Sequence, residues 1–592
     1  MRRSPISAAA APTTGCARRS WRRPASGRPP MPELKLTRRA FLIRSAVAGG
    51  GLLVGFHLPA ATKLAAEPLV APAGEQPVEV NAWIVIQPDD SVVIRVARSE
   101  MGQGIFTALP MLVAEELGCN WNRVRAEYAL ASVNLQRDNV YQSMSTGGSR
   151  SVRSSQELLR TAGAMARELL VAAAARRWGV PADDCQAENS VITHTPSGRT
   201  VGFGAVAAEA ATLEPPQNVF LKEPDEWQLL GKPIPRLDVP DKIAGKPVFG
   251  ADVEVPGMLH AAISACPVFG GRLKGFDAAA IEQRPGVVSV VALDAAVAVV
   301  AESWWQAQQA LQALPVTWDE AGNGQVDDAQ IRANLEAGLN VDDAVTMAEH
   351  GKPALAFQSA QRHIEATFYA PYLAHATMEP MTCTAAVHKD GRVEVWVPTQ
   401  NATASLEAAA RTAGVDPRQV EVHNTQLGGG FGRRGAYQDF VEQAVHIAKA
   451  VSRPVKLMWS REEDTQHDFY RPASMAHLKA ALDGEGRLTG MVVRVSAPSI
   501  LISLGRKADD GHDPLALQGL ADTFYAVPNL RADYVLRRLH VPVGFWRSVN
   551  HSQNAYFREH FLDQVARATG QDPYAFRLDL LKEAPKQRAV LE

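Results

Sequence analysis

The residues best suited to chemistry fall in four short segments. Gln426-Leu427-Gly428-Gly429-Gly430-Phe431-Gly432-Arg433-Arg434 follows a strand-like run, Val420 to His423, and precedes a helix starting near Tyr437. A glycine run in that place lets backbone N–H groups approach a ligand closely. The alternative is a sharp turn with nothing bound. It is neither GxGxxG nor a GK[ST] phosphate loop, which weakens NAD and nucleoside triphosphate readings. Glu100-Met101-Gly102-Gln103-Gly104 follows a strand ending near Ala97 and leads into a helix. Its Gln103 can both donate and accept hydrogen bonds from a loop held by Gly102 and Gly104. Ser145-Thr146-Gly147-Gly148-Ser149-Arg150-Ser151 stands before a long helix, where hydroxyls, amides and an arginine suit a phosphate. Simple helix capping by serine and threonine is the competing reading. In Val543-Gly544-Phe545-Trp546-Arg547-Ser548-Val549-Asn550-His551-Ser552-Gln553-Asn554, aromatic and polar side chains interleave. That mixture suits a pocket for a flat substrate, or else a core segment with capped turns. Together the segments point to a large polyanionic cofactor buried between domains. His375 and His467 have no partners at ligand spacing and read as structural histidines.

The elements around these segments follow from the hydrophobic pattern. Ala82–Ile86 and Ser91–Val96 flank Pro88-Asp89-Asp90 as a hairpin. Helical patterns cover Thr107–Leu117 and Ser154–Trp178, the latter stopped by Gly179-Val180-Pro181. A Pro-rich stretch at about 214–240 marks a boundary, and residues 241–320 alternate short strands and helices. The segment from about 321 to 360 is polar, Ala-rich and weakly helical, and is expected to connect two domains. Helices are expected again at 402–413 and 437–450. The class is therefore mixed α+β, with several domains in 592 residues. A net charge of -2 gives no global field for nucleic acid. The five cysteines form no CxxC, which argues against an iron–sulfur or four-thiolate zinc site here.

Thr37-Arg38-Arg39-Ala40-Phe41-Leu42 reads as a twin-arginine export signal. A mostly apolar run, Ala46–Leu58, and small residues near Ala60-Ala61 and Ala65-Ala66 come in signal-peptide order. That route carries folded, often cofactor-loaded proteins, so a periplasmic location is expected, with membrane association if the signal stays uncleaved. Met31 is an alternative start.

This set of segments resembles the xanthine oxidase family of molybdenum hydroxylases, most closely its isoquinoline 1-oxidoreductase beta-subunit branch. In the wider family the MGQG and TGGS elements follow the GGFG loop; here they precede it, which is similar to that branch. The resemblance implies a molybdopterin cytosine dinucleotide whose pterin sulfurs, rather than protein side chains, hold the metal. It implies that Gln400, in Pro398-Thr399-Gln400-Asn401, bonds an oxygen ligand of molybdenum, and that the Gly429-Gly430-Phe431-Gly432 backbone approaches the metal. Arg547 matches an arginine across the metal, and the loops Gly102-Gln103-Gly104 and Thr146–Ser151 match dinucleotide-binding loops. The implied division is an extension, signal and linker at 1–76, a molybdopterin-binding segment at 77–225 and a hammerhead-like α/β domain at 226–325. A connector at 326–360 and a second molybdopterin-binding domain at 361–592 complete it. The implied reaction hydroxylates an N-heteroaromatic or aldehyde with water as the oxygen source. Electrons leave through a small subunit carrying two [2Fe–2S] clusters, often to a periplasmic cytochrome.

Two features depart from the family pattern. The family's basic glutamate lies in a Gly-x-Gly-Glu-type loop near the C-terminus, and the sequence ends at Ala589-Val590-Leu591-Glu592 without one. The expectation is that this is a piece of a longer protein; a truncated, non-catalytic cofactor-binding or maturation protein is the alternative. An exported solute-binding protein without cofactor is a reading from another class. At Gly435, where some purine-hydroxylating relatives carry an acidic residue, glycine leaves room for a bulkier, less polar substrate.

Overall fold

The computed structural model describes residues 76–508 and 511–592. The expected export signal lies outside the described residues. Among them, five sheets are interleaved with helices, so the chain is of the mixed α and β class.

The N-terminal sheet has four strands, Val78–Asn81, Ile84–Ile86, Val92–Val96 and Val124–Tyr128. The first three pair antiparallel; Val92–Val96 and Val124–Tyr128 run parallel. A parallel pair requires a crossover, and helix Ile105–Leu117 lies in it. Strand Val92–Val96 buries alternate residues, as its pattern demands. Helix Gln156–Trp178 packs on Ile105–Leu117 at short range. A Cβ on Gly163 would stand 2.5 Å from the carbonyl oxygen of Val113, so only glycine permits that approach. Gly179, left-handed at φ 66°, ends the long helix.

A seven-stranded sheet forms the centre. Its spatial order is Val287–Ala292, Ala296–Ala301, Leu259–Ala265, Val455–Met458, Thr382–Val387, Val393–Val397 and Val420–Asn424. Strands from the 226–325 segment thus share a sheet with strands from the 361–592 segment, joined where Val455–Leu457 runs parallel to Leu259–Ala261. Helix Ala402–Ala413 makes the crossover between the parallel strands Val393–Val397 and Val420–Asn424. Helix Asp439–Val451 buries Phe440, Val441, Val445 and Ile447 against the sheet. Each such side chain contributes about 1.5–3 kcal/mol by leaving water.

A five-stranded sheet carries the C-terminal half, in the order Val345–His350, Leu530–Leu536, Leu488–Ala497, Ser474–Leu482 and Arg362–Ala370. Helix His551–Ala568 covers it with Phe557, Phe561, Leu562 and Val565. The stretch expected to be a weakly helical connector is therefore more structured than its sequence implies. It holds helix Asp328–Ala337 and the edge strand Val345–His350, paired antiparallel with Leu530–Tyr534. No residue of that edge strand is fully buried, so no hydrophobic alternation announces it.

Candidate active site

Three of the predicted segments stand at the carboxyl ends of parallel strands. Glu100–Gly104 follows Val92–Val96, Gln400 follows Val393–Val397, and Gly428–Gly432 follows Val420–Asn424. Open α/β sheets place ligands at such ends, where strand-to-helix connections part. Gln400 ties the segments together. The Thr146 amide donates to the Gln400 carbonyl at 2.7 Å, and Gln400 Nε2 donates to the Thr146 carbonyl at 2.9 Å. Gly432 N donates to Gln400 Oε1 at 3.0 Å. Gly430 lies so close that a Cβ there would sit 2.4 Å from Gln400 Oε1 and 3.2 Å from Met101 Sδ. The Leu427 amide reaches the Glu100 carbonyl at 3.4 Å. Gln400 is thus buried with its amide fixed at both ends, and one of its two Nε2 hydrogens remains for a ligand.

The Gly-rich loop is shaped by what lies under it. Gly429 and Gly432 have φ of 100° and 114°, and Phe431, at 52°, is a left-handed non-glycine left 41% exposed. Arg433 and Arg434 are both buried beneath. Arg434 donates to the carbonyls of Gly429 (3.1 Å), Pro398 (3.3 Å) and Glu379 (2.6 Å), and its guanidinium stands 3.4 Å from the Glu379 carboxylate. Burial pulls its pKa down to about 10, against the pull of Glu379. Glu379 also accepts from Gly428 N and Ala251 N, at 3.0 and 3.1 Å. Two buried charges here set the shape of a backbone loop.

The other loops divide into anchors and exposed surface. Glu100 is fully buried and accepts from the amides of Gly102 (2.8 Å), Gly104 (3.1 Å) and Phe106 (3.0 Å), with Arg236 at 3.2 Å. This carboxylate occupies the amino end of helix Ile105–Leu117 itself. The Gln103 amide is held within its own loop, accepting from Met101 N and donating one Nε2 hydrogen to the Ser99 carbonyl, both at 2.7 Å. Thr146 is an anchor, its hydroxyl accepting from Ser99 N at 2.8 Å. Gly102, Gly147, Gly148, Ser149 and Arg150 are exposed, and Ser151 is half-buried. A Cβ on Gly102 or Gly147 would meet no atom within 4 Å.

The aromatic segment joins the same centre through Gly432, where a Cβ would fall 1.7 Å from the Phe545 carbonyl oxygen. That carbonyl also faces His375 Nε2 at 2.9 Å, and His375 Nδ1 faces the Asp468 carboxylate at 2.9 Å. Asp468 stands 3.0 Å from Arg433 Nε, and Arg433 grips Asp439 with two further bonds. Burial raises the Asp468 pKa, but His375 and Arg433 outweigh it and hold the carboxyl below its usual range. Arg547 is exposed on the turn that follows, where Ser548 and Val549 take φ of 69° and 53°. A β-branched residue in that region is strained and marks a position imposed by its surroundings. A cavity of about 340 Å³, lined by Glu407, Arg411, Tyr437 and Asp439 among others, lies beside helix Asp439–Val451 and does not include Gln400.

This arrangement fits a bulky polyanionic cofactor. Exposed amide-rich turns with no side chain over Gly102 and Gly147 leave room for one, and the fixed Gln400 amide offers a donor beside the Gly430–Gly432 backbone. Reading the sequence missed the buried partners Glu379 and Asp468 and the half-buried Arg236. The only available signal was a set of charges inside otherwise apolar or glycine-rich stretches.

Two profiles of the molybdopterin cofactor-binding domain match the chain, at residues 339–580 and 55–253. The isoquinoline 1-oxidoreductase subunit beta of Brevundimonas diminuta is 32% identical, over 95% of this chain and 77% of that one. A membrane-bound aldehyde dehydrogenase of Gluconacetobacter polyoxogenes, named for pyrroloquinoline quinone, is 30% identical over 93% of this chain and 73% of that one. The crystal structure of quinoline 2-oxidoreductase from Pseudomonas putida 86 aligns at a TM-score of 0.48 with 19% identity, covering 58% of this chain and 49% of that one. The domain profiles and the two sequence relatives define a molybdopterin-binding oxidoreductase. The chain belongs to the family of isoquinoline 1-oxidoreductase beta subunits, within the wider group of aldehyde and xanthine oxidoreductases.

Proposed function

We propose that this chain hydroxylates an electron-poor carbon of an N-heteroaromatic ring or an aldehyde, with water as the oxygen source. In this reading it holds the cytosine dinucleotide form of the cofactor and passes electrons to a separate subunit with two [2Fe–2S] clusters, then to a periplasmic cytochrome. Export by the twin-arginine route, from the signal at Arg38-Arg39, belongs to the same reading. The observation that carries it is the Gln400 amide, fixed between Gly432 N at 3.0 Å and the Thr146 carbonyl at 2.9 Å. The bound cofactor would supply the metal that accepts two electrons and activates water.

The chain's own residues have simpler tasks. Gln400 donates its second Nε2 hydrogen to an oxygen of the bound group. The Gly430–Gly432 backbone allows close approach, and Arg547 orients substrate from the exposed turn. A Cβ at Gly435 would stand 3.3 Å from the Gly432 carbonyl oxygen and 4.0 Å from Gln400 Cβ, a tight approach to backbone, so the preference for a bulkier, less polar substrate rests on the sequence alone. The absence of CxxC in a five-cysteine chain supports electron exit through a partner.

The test uses protein matured in molybdenum-replete cells. Molybdenum and released nucleotide are measured per chain, and dye reduction is followed with isoquinoline and with an aromatic aldehyde. Product oxygen is traced with labelled water. Protein free of molybdenum, or product oxygen drawn from O2, would end this reading.

A further inference from the structure

We infer that His375 is a positioning residue: it holds the Phe545 carbonyl against the Gly-rich loop and so sets where Arg547 stands. The inference rests on the function proposed above only for the claim that Arg547 meets substrate. The sequence alone reads His375 as structural, but its ring lies where two segments of the site meet. Its Nε2 faces the Phe545 carbonyl at 2.9 Å. That carbonyl fills the space Gly432 leaves open, where a Cβ would stand 1.7 Å from the oxygen and 3.5 Å from His375 Nε2. Glycine at 432 therefore admits the carbonyl, and the histidine supplies its donor.

The ring faces acceptors on both sides. Nδ1 stands 2.9 Å from each oxygen of Asp468. A carboxylate and a carbonyl only accept, so both bonds need hydrogen on both ring nitrogens. The ring then carries a charge, and its bond to Phe545 is charge-assisted. Asp468 balances it: burial works against this carboxylate, yet His375 and then Arg433 keep it ionised. With 2% of each side chain exposed, bulk water does not replace either bond. Arg547 depends on this clasp because it has no hold of its own. Its side chain is exposed and makes no hydrogen bond or ion pair among the described residues. Upstream, Tyr437 Oη donates to the Val543 carbonyl at 2.8 Å, and the Gly544 amide to the Tyr470 carbonyl at 2.9 Å. Trp546 Nε1 donates to the Ala374 carbonyl at 3.2 Å. Of these ties only the one from His375 is charge-assisted, and it lies just upstream of Arg547.

Two substitutions separate the two bonds. An asparagine amide reaches about as far as Nδ1, and a glutamine amide about as far as Nε2. His375→Asn should keep Asp468 satisfied and leave the Phe545 carbonyl without a donor; His375→Gln should do the reverse. Hydrogen exchange of residues 543–549 is followed by mass spectrometry in the full chain, with the melting temperature as control. KM and kcat are measured on the molybdenum-loaded enzyme. His375→Asn should speed exchange of that segment on the order of ten-fold, the loss expected for one charge-assisted bond. It should raise KM by a similar factor and change kcat little. His375→Gln should recover much of both. The inference is overturned if His375→Asn exchanges like wild type, or if His375→Gln is as loose as His375→Asn. A loosened segment with unchanged KM in an active enzyme would overturn it too. Should His375→Asn fail to fold, His375→Gln decides alone: wild-type exchange and KM at a lowered melting temperature support the inference, and a loosened segment overturns it. If loaded wild type turns over no substrate, the proposed function fails, and exchange alone still judges the place of His375.

Discussion

Replacing Gly430 by alanine should silence the site while leaving the fold nearly intact. The added Cβ would lie 2.4 Å from Gln400 Oε1, and such contacts do not persist below 3.0 Å, so the oxygen must retreat by about 0.6 Å. Oε1 is the free end of a flexible side chain, so the retreat is possible without moving backbone. It breaks the bond from Gly432 N and disturbs the one to the Thr146 carbonyl, now 3.0 and 2.9 Å. At about 1 kcal/mol each, stability should fall by no more than about 2 kcal/mol. Turnover should fall far more, on the order of 100-fold, because a fixed donor to the reacting centre is lost. Gly432→Ala is the contrast. Its Cβ would meet the Phe545 carbonyl at 1.7 Å from a backbone at φ +114°, so backbone must move and several kcal/mol should go. Both variants, and Gly430→Ala in a Gln400→Ala background, would be followed by thermal unfolding and by substrate-dependent dye reduction. In the Gln400→Ala background the Gly430 change should cost little more, since both remove one interaction. The reasoning is refuted if Gly430→Ala turns over like wild type, or if it unfolds as readily as Gly432→Ala.

Other outcomes follow from the same geometry. Arg547→Ala should leave the melting temperature within what a change of about 0.5 kcal/mol produces, because the side chain is exposed, while substrate turnover drops; a loss of stability without a loss of turnover would contradict this. Glu100→Gln should cost about 3 kcal/mol, seen as a lower unfolding temperature and reduced cofactor loading, since its NH2 group must face at least one of the backbone donors that now meet a carboxylate oxygen, and the charge opposite Arg236 is lost. For His467, burial lowers the pKa, but its bond to Glu463, that charge and the Cys266 carbonyl together raise it above the ordinary value. A raised folded pKa means the contribution is full below the unfolded pKa, about 6.5, and is lost as pH rises through the folded pKa. The stability penalty of His467→Gln should therefore be greatest near about pH 5.5 and shrink by about pH 8.5; a penalty that grows with pH would refute the pairing.

What could be read from the sequence is what repeats or breaks a backbone pattern. Helices Ala402–Ala413 and Gln156–Trp178 declare themselves by periodicity and end at Gly414 and Gly179, both left-handed. The Gly-rich loops were visible because glycine is chosen for backbone reasons that leave few alternatives. Strand Val345–His350 was not visible, because an edge strand with no fully buried residue has no face to encode. Nor was the distinction between anchor and ligand. Gln103 and Thr146 look like cofactor contacts by type and place, and the fold also uses them as anchors to Met101, Ser99 and Gln400, leaving one Nε2 hydrogen of Gln103 and the hydroxyl hydrogen of Thr146 for a ligand.

The buried charges form the deepest gap, and they decide the site. Glu379 and Arg434 are 55 positions apart, Asp468 and His375 are 93 apart, and Glu100 and Arg236 are 136 apart. A charge in an apolar stretch announces only that a partner exists, because burying it alone would cost several kcal/mol. Which residue that partner is depends on how strands are ordered in the sheets, a property of the whole fold. These pairs do little for net stability, since desolvation offsets most of their attraction. Their effect is to fix backbone amides and carbonyls at Gly102, Gly104, Gly428 and Gly429 that no side chain of those glycines could hold. A loop made of glycine to admit a ligand has given up its own means of staying in place, so its position must be set by buried charges elsewhere in the chain.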